Sequence, residues 1–140
     1  MLDQIRSRNG FLWVGQVSGN YAVWYRCTVS NRRCNVRMHD IAAATTTVIP
    51  NPGRQQYSAS VTSDGTVYFI RSGRGCGNSV QVVRRPLGGP SNVVAAVGAG
   101  RDVQSIYALQ HVDGTTTVYF DRIRCATRAW TSSRSSIPSP

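Results

Sequence analysis

Three times along the chain a tight-turn signal is followed by a short run of alternating apolar residues. Ser18-Gly19-Asn20 precedes YAVWYR, Ser63-Asp64-Gly65 precedes TVYFIR, and Val112-Asp113-Gly114 precedes TTTVYFDR. Gly-Asn and Asp-Gly supply the positive φ angles of a hairpin turn, where most side chains clash with the backbone. In the second run Val67 and Phe69 share one face, and Tyr68 and Ile70 share the other. Both faces are apolar, as expected for a strand enclosed between two layers. Val23 and Tyr25 in the first run, and Val118 and Phe120 in the third, take the parallel places.

The turns recur at a fixed interval. Gly19 to Asp64 is 45 residues, and Asp64 to Asp113 is 49. A period of about 40–50 residues fits the four-stranded blade of a β-propeller. Residues 11–50 are expected to form one blade, with strands LWVGQV, YAVWYRC, CNVRMHD and TTTVIP, and a polar link NPGRQQ after it. Residues 57–97 form a second, with YSASV, residues 66–71, VQVVRR and SNVVAAV. Residues 104–130 supply only QSIYALQ and TTTVYFDR, an incomplete third blade. Residues 131–140 (TSSRSSIPSP) lack alternation and are expected to be a disordered tail.

The predicted fold is therefore all-β: antiparallel four-stranded blades of an incomplete β-propeller, in one partial domain. Roughly two and a half blades fall short of the four or more that a closed ring needs. Open edge strands and a half-exposed interblade face invite self-association, unless the chain is a truncated gene product.

Composition agrees with strands. The chain of 140 residues is 41% hydrophobic, has no Glu and only 2 Met, and is rich in Thr, Ser, Val and Tyr. Those residues suit a pleated surface better than a helix. The net charge is +10, and all 16 basic residues are Arg. A basic surface draws nucleic acid, anionic membrane or acidic glycan alike, so its sign selects no partner. The arginines are spread out, with pairs but no run of five. Genome composition explains an Arg-only balance without a polyanion site, and nucleic acid is not the expected partner. If a polyanion does bind, the candidate contacts are Arg32, Arg33, Arg74, Arg84 and Arg85 on the blade-turn rims.

In the middle unit Ser63-Asp64-Gly65, then Val67-Tyr68-Phe69, then Ser72, Arg74 and Gly75 resemble the TolB-like propeller repeat. That repeat is a Ser-Pro-Asp-Gly turn, an apolar strand and a Ser-x-Arg-x-Gly turn. Here Ser63 replaces the Pro, Gly19-Asn20 stands for Asp-Gly in the first unit, and the third lacks the Ser-x-Arg-x-Gly turn. The resemblance spans roughly residues 11–130. It implies a propeller fold, export to the periplasm or cell surface, and binding to a protein or cell-envelope partner. Repeats of this kind also accompany larger hydrolases. The motif is a scaffold, so it carries no catalytic residues with it.

The remaining chemistry is sparse. His39 and His111 are the two histidines, and the six carboxylates are all Asp. His39 and Asp40 are strand neighbours, which point to opposite faces and make no dyad. No nucleophile elbow, phosphate loop or metalloprotease helix occurs, and no catalytic, cofactor or metal site is assigned. The basic, glycine-rich Gly73-Arg74-Gly75-Cys76-Gly77 reads as a hairpin turn, because a strand follows it and not a helix. Arginines interleave with Tyr21, Trp24, Tyr25, Tyr68, Tyr107 and Tyr119, whose ordinary role on strands is packing between blades.

Four cysteines, Cys27, Cys34, Cys76 and Cys125, permit two disulfides in three connectivities. Their spacing does not suit zinc. On the blade map Cys27 ends one strand and Cys34 begins the next, so the two meet across a hairpin, while Cys76 and Cys125 occupy comparable turns of successive blades. Disulfides imply an extracellular or periplasmic location. The opening MLDQIRSRNG has no continuous apolar core, so an export signal is expected on sequence outside this chain. No stretch is long enough to span a membrane as a helix.

Overall fold

The computed structural model describes residues 10–28, 33–50, 53–72 and 79–137. Among these, eleven strands form three antiparallel sheets. The first sheet runs in sequence order through β1 (Phe11–Ser18), β2 (Tyr21–Cys27), β3 (Cys34–Asp40) and β4 (Thr45–Val48). The second repeats the plan with β5 (Gln55–Val61), β6 (Val67–Ser72), β7 (Val80–Arg85) and β8 (Asn92–Val97). The third has β9 (Arg101–Gln110), β10 (Thr116–Arg124) and β11 (Trp130–Ile137). Simple up-and-down meanders of this kind are the blades of a propeller. The expected all-β fold class is what the chain adopts.

Strand β11 corrects the expectation of a disordered tail. Residues 130–137 pair with β10 along their whole length, from Thr116↔Ile137 to Ile123↔Trp130. Ser and Thr carry enough β propensity to extend a ladder whose hydrogen bonds come from the backbone. The described side chains of 131–136 are exposed or half-exposed, which is why no apolar alternation marks the strand.

Two apolar clusters hold the sheets together, one at each seam. Between the first two sheets lie Val23, Val36, Met38 and Ile49 against Ala59, Val61, Val67, Phe69 and Val83. Between the second and third lie Tyr68, Ile70, Val80, Val82 and Val97 against Val103, Ile106, Ala108, Val118 and Phe120. Strand β6 thus sends Val67 and Phe69 one way and Tyr68 and Ile70 the other, each at most 2% exposed. Burying each such side chain contributes about 1.5–3 kcal/mol. The middle sheet is sandwiched, and its sequence is apolar on both faces for that reason.

The turns repeat at the level of single hydrogen bonds. Asp64 Oδ1 accepts from Thr62 Oγ1 at 2.6 Å and from the Thr66 amide at 3.0 Å. Asp113 Oδ1 accepts from the Thr115 amide at 2.9 Å and from Thr115 Oγ1 at 2.7 Å. Gly65 and Gly114 follow, with φ of 80° and 83°, where an added Cβ would be strained. The first turn differs. Asn20 reaches out of it, donating to Asp40 Oδ1 at 2.6 Å and accepting from the Ala42 amide at 3.0 Å. It ties the β1–β2 turn to the β3–β4 turn.

Candidate functional site

Strands β1, β5 and β9 are each the first strand and an edge strand of their sheet, and β5 packs against both β1 and β9. Such a strand has one free edge, and its unpaired N–H groups must find partners. On β9 the Ile106 amide donates to Ser58 Oγ at 3.0 Å, and the Ala108 amide donates to Ser60 Oγ at 2.8 Å. Two serines spaced by two residues thus meet two amides spaced by two. Ser60 in turn donates to Gln16 Oε1 on β1. One hydroxyl therefore links all three sheets along the inner seam.

At the turn end of this seam the chain forms an open cavity of about 310 Å³, walled by Gln16, Ser18, Ser63, Tyr107, Leu109 and Gln110 among others. Gln110 Oε1 accepts from both the Ser63 amide (3.0 Å) and Ser63 Oγ (2.6 Å). Gly19 lies against the same turn, with its Cβ position 3.0 Å from the Ser63 carbonyl oxygen. The cavity offers amides, hydroxyls and one tyrosine ring. Such a surface binds by hydrogen bonding and packing.

A second cavity, of about 250 Å³, opens at the opposite end of the first sheet and is lined by Arg26, Cys27, Thr28, Arg33, Asn35 and Arg37. The strand register explains the convergence. Trp24 pairs with Arg37 and Arg26 with Asn35, and the Thr28 amide continues the ladder to the Arg33 carbonyl. Cross-strand partners share a face, so all three arginines lie on one side of the β2–β3 hairpin. The other side carries Val23, Val36 and Met38 toward the second sheet.

Cys27 and Cys34 form a disulfide across this hairpin, with Cα atoms 4.0 Å apart. Cys125 is also disulfide-bonded, while Cys76 lies outside the described residues. Arg32 and Arg74, and the whole Gly73–Gly77 turn, lie outside them too. Of the other candidate anion contacts, Arg33 joins Arg26 and Arg37, two residues the sequence reading passed over. Arg84 and Arg85 sit on β7 in the second sheet, paired with Tyr68 and Val67, and line neither cavity.

The titratable groups are engaged in structure. His39 Nδ1 lies 2.9 Å from Thr46 Oγ1, and His111 Nε2 lies 2.8 Å from Thr117 Oγ1. Asp40 accepts from Asn20 and from the Ala43 amide, and Asp121 accepts from Ser105 Oγ. Arg122 stacks its guanidinium 5.2 Å above the Phe120 ring. Tyr57 donates to Asp102 Oδ1 at 3.2 Å across the second seam. Burial pushes the Tyr57 phenol up, aided by the neighbouring Asp102 charge, so it stays protonated. No group of three His, Cys or Asp among the described residues is placed to hold a metal ion. Among the described residues no helix is long and apolar enough to cross a membrane.

Of the interleaved aromatics, Trp24 and Tyr68 are buried as expected of packing. Tyr107 and Tyr119 are not: 50% and 41% exposed, they face each other across β9 and β10 on the free side of the third sheet.

No family model matches the chain, and no curated protein matches it either. Solved structures do. The β-propeller domain of the Trilobed protease from Pyrococcus furiosus matches with a TM-score of 0.57 at 9% identity, over 96% of this chain and 45% of that one. The acylaminoacyl peptidase of Pyrococcus horikoshii matches with a TM-score of 0.52 at 9% identity, over 91% of this chain and 26% of that one. At such identity the likeness is one of fold, and the chain spans less than half of each. The three sheets are blades of a β-propeller.

Proposed function

We propose that the chain is a non-catalytic propeller module of the TolB-like kind, acting outside the cytoplasm through contact with another protein surface, a second copy of itself. The observation that carries this is the free face of the third sheet. Tyr107, Leu109 and Tyr119 are 50%, 39% and 41% exposed there, in the positions where the other sheets meet an apolar neighbour. On the first sheet Val14 and Val17, 80% and 64% exposed, lie on the face turned away from the second sheet. Joining the two faces between copies repeats the seams already made twice within the chain. Three blades plus three give six, inside the four-to-eight range of closed rings. The Cys27–Cys34 disulfide supports an oxidising compartment.

The mass in solution tests this. A species of twice the chain mass at micromolar concentration, reduced to the monomer by Tyr107→Arg with the β-sheet spectrum retained, is expected. A wild-type monomer at high concentration overturns self-association. It favours instead the non-catalytic propeller segment of a larger hydrolase, a role supported by the partial coverage of two peptidases.

A further inference from the structure

We infer that the cavity between Arg26, Arg33 and Arg37 is a binding site for a tetrahedral oxyanion, the phosphate or sulfate ester group of a ligand. Three guanidiniums from two strands and a hairpin flank line one open cavity of about 250 Å³, a size that admits such a group with part of what it is attached to. Each guanidinium presents a planar fork of N–H donors suited to paired oxygens, and a charge-assisted bond of this kind is about twice as strong as a neutral one. Asn35 and Thr28 add a neutral amide and a hydroxyl to the same wall.

The site is held in place from behind. Cys27 and Cys34 pair directly, one residue from Arg26 and one from Arg33, and their disulfide locks the register that puts the three arginines on one face. Val36, between Asn35 and Arg37, is fully buried in the first seam. Its amide accepts no motion either, since it donates to Gln56 Oε1 at 3.1 Å. The net charge of +10 raises the local concentration of any anion further. The cavity lies at the hairpin end of the sheet, on the same free face as Val14, whose cross-strand partner Trp24 pairs in turn with Arg37.

The full, disulfide-intact chain is titrated with inorganic phosphate and, separately, inorganic sulfate at constant ionic strength, following arginine Nε–Hε resonances by NMR. Saturable shifts confined to Arg26, Arg33 and Arg37 are expected. Arg26→Gln and Arg37→Gln each weaken binding at least about tenfold, and Arg85→Gln leaves it within about twofold. Tighter phosphate binding above pH 7 assigns phosphate esters, and tighter sulfate binding assigns sulfate esters. Shifts that never saturate, or that spread over all arginines, or an equal loss in Arg85→Gln, overturn the site. The wild-type resonances decide the matter even where a variant fails to fold.

Discussion

Ser60 Oγ accepts the Ala108 amide of the third sheet at 2.8 Å while it donates to Gln16 of the first. Ser60 itself belongs to the second sheet and is 1% exposed. Replacing it by Ala leaves a buried amide on β9 without its acceptor, at a cost of about 1–3 kcal/mol. Ser60→Ala is expected to lower the unfolding free energy by that amount, read as a lower urea midpoint with an unchanged m-value. Ser58→Ala, at the more exposed Ile106 amide, costs less. Equal stability of Ser60→Ala and wild type would remove the hydroxyl from its role at the seam.

Gly15 on β1 is packed against the backbone of β5. A Cβ there would lie 2.6 Å from the Ala59 carbonyl oxygen and 2.7 Å from that of Val23. Both are backbone atoms, which cannot swing aside as a side-chain end can. Gly15→Ala is therefore expected to destabilise by about 1–3 kcal/mol. Gly98→Ala, with open space around it, stays within about 0.5 kcal/mol. Thermal melts of the two variants side by side check the contrast.

The strands were legible because their turns are: Asp64-Gly65 and Asp113-Gly114 announce hairpins, and the double alternation of β6 announces a sandwiched strand. Strand β11 was not legible, because Ser132, Ser133 and Ser135 join a ladder through backbone bonds that leave no apolar trace. The inner seam was equally hidden. Ser58 and Ser60 look like ordinary polar strand residues until β9 is laid beside them. The Arg26–Arg33–Arg37 face was readable in principle. Once Cys27 is set opposite Cys34, parity alone places Arg26, Asn35 and Arg37 together, but weighing the arginines as sequence pairs missed it.

The Cys27–Cys34 bridge closes a loop with a sequence separation of 7. For a loop this short the loss of unfolded-state entropy corresponds to about 2.5 kcal/mol. The double variant Cys27→Ser, Cys34→Ser is expected to lose about that much stability. No cysteine among the described residues is free. Alkylation of the unreduced, denatured protein should add no label, and reduction should expose four sites for it. Bridging of Cys76 to Cys125 is tested by proteolytic digestion of the unreduced protein, as a single cross-linked peptide pair.

Asp64 and Asp113 give the turns a dependence on pH. Partial burial pushes the Asp64 carboxyl up, but the bonds from Thr62 and Thr66 outweigh it and hold it below its ordinary value of 3.8. Asp113 is held below 3.8 chiefly by the hydroxyl and amide of Thr115. A carboxyl whose folded pKa is depressed stabilises the fold fully above its unfolded pKa. That contribution fades as pH falls through 3.8 and is gone below the folded value. Asp64→Asn keeps an acceptor in the turn but removes the charge. The wild type should therefore melt higher than Asp64→Asn at about pH 6, and the gap should narrow as pH falls through 3.8 and close below the folded pKa. The Asp113→Asn gap should close over the same range. A gap that stays constant with pH would mean that the turns use Asp for its shape and not for its charge.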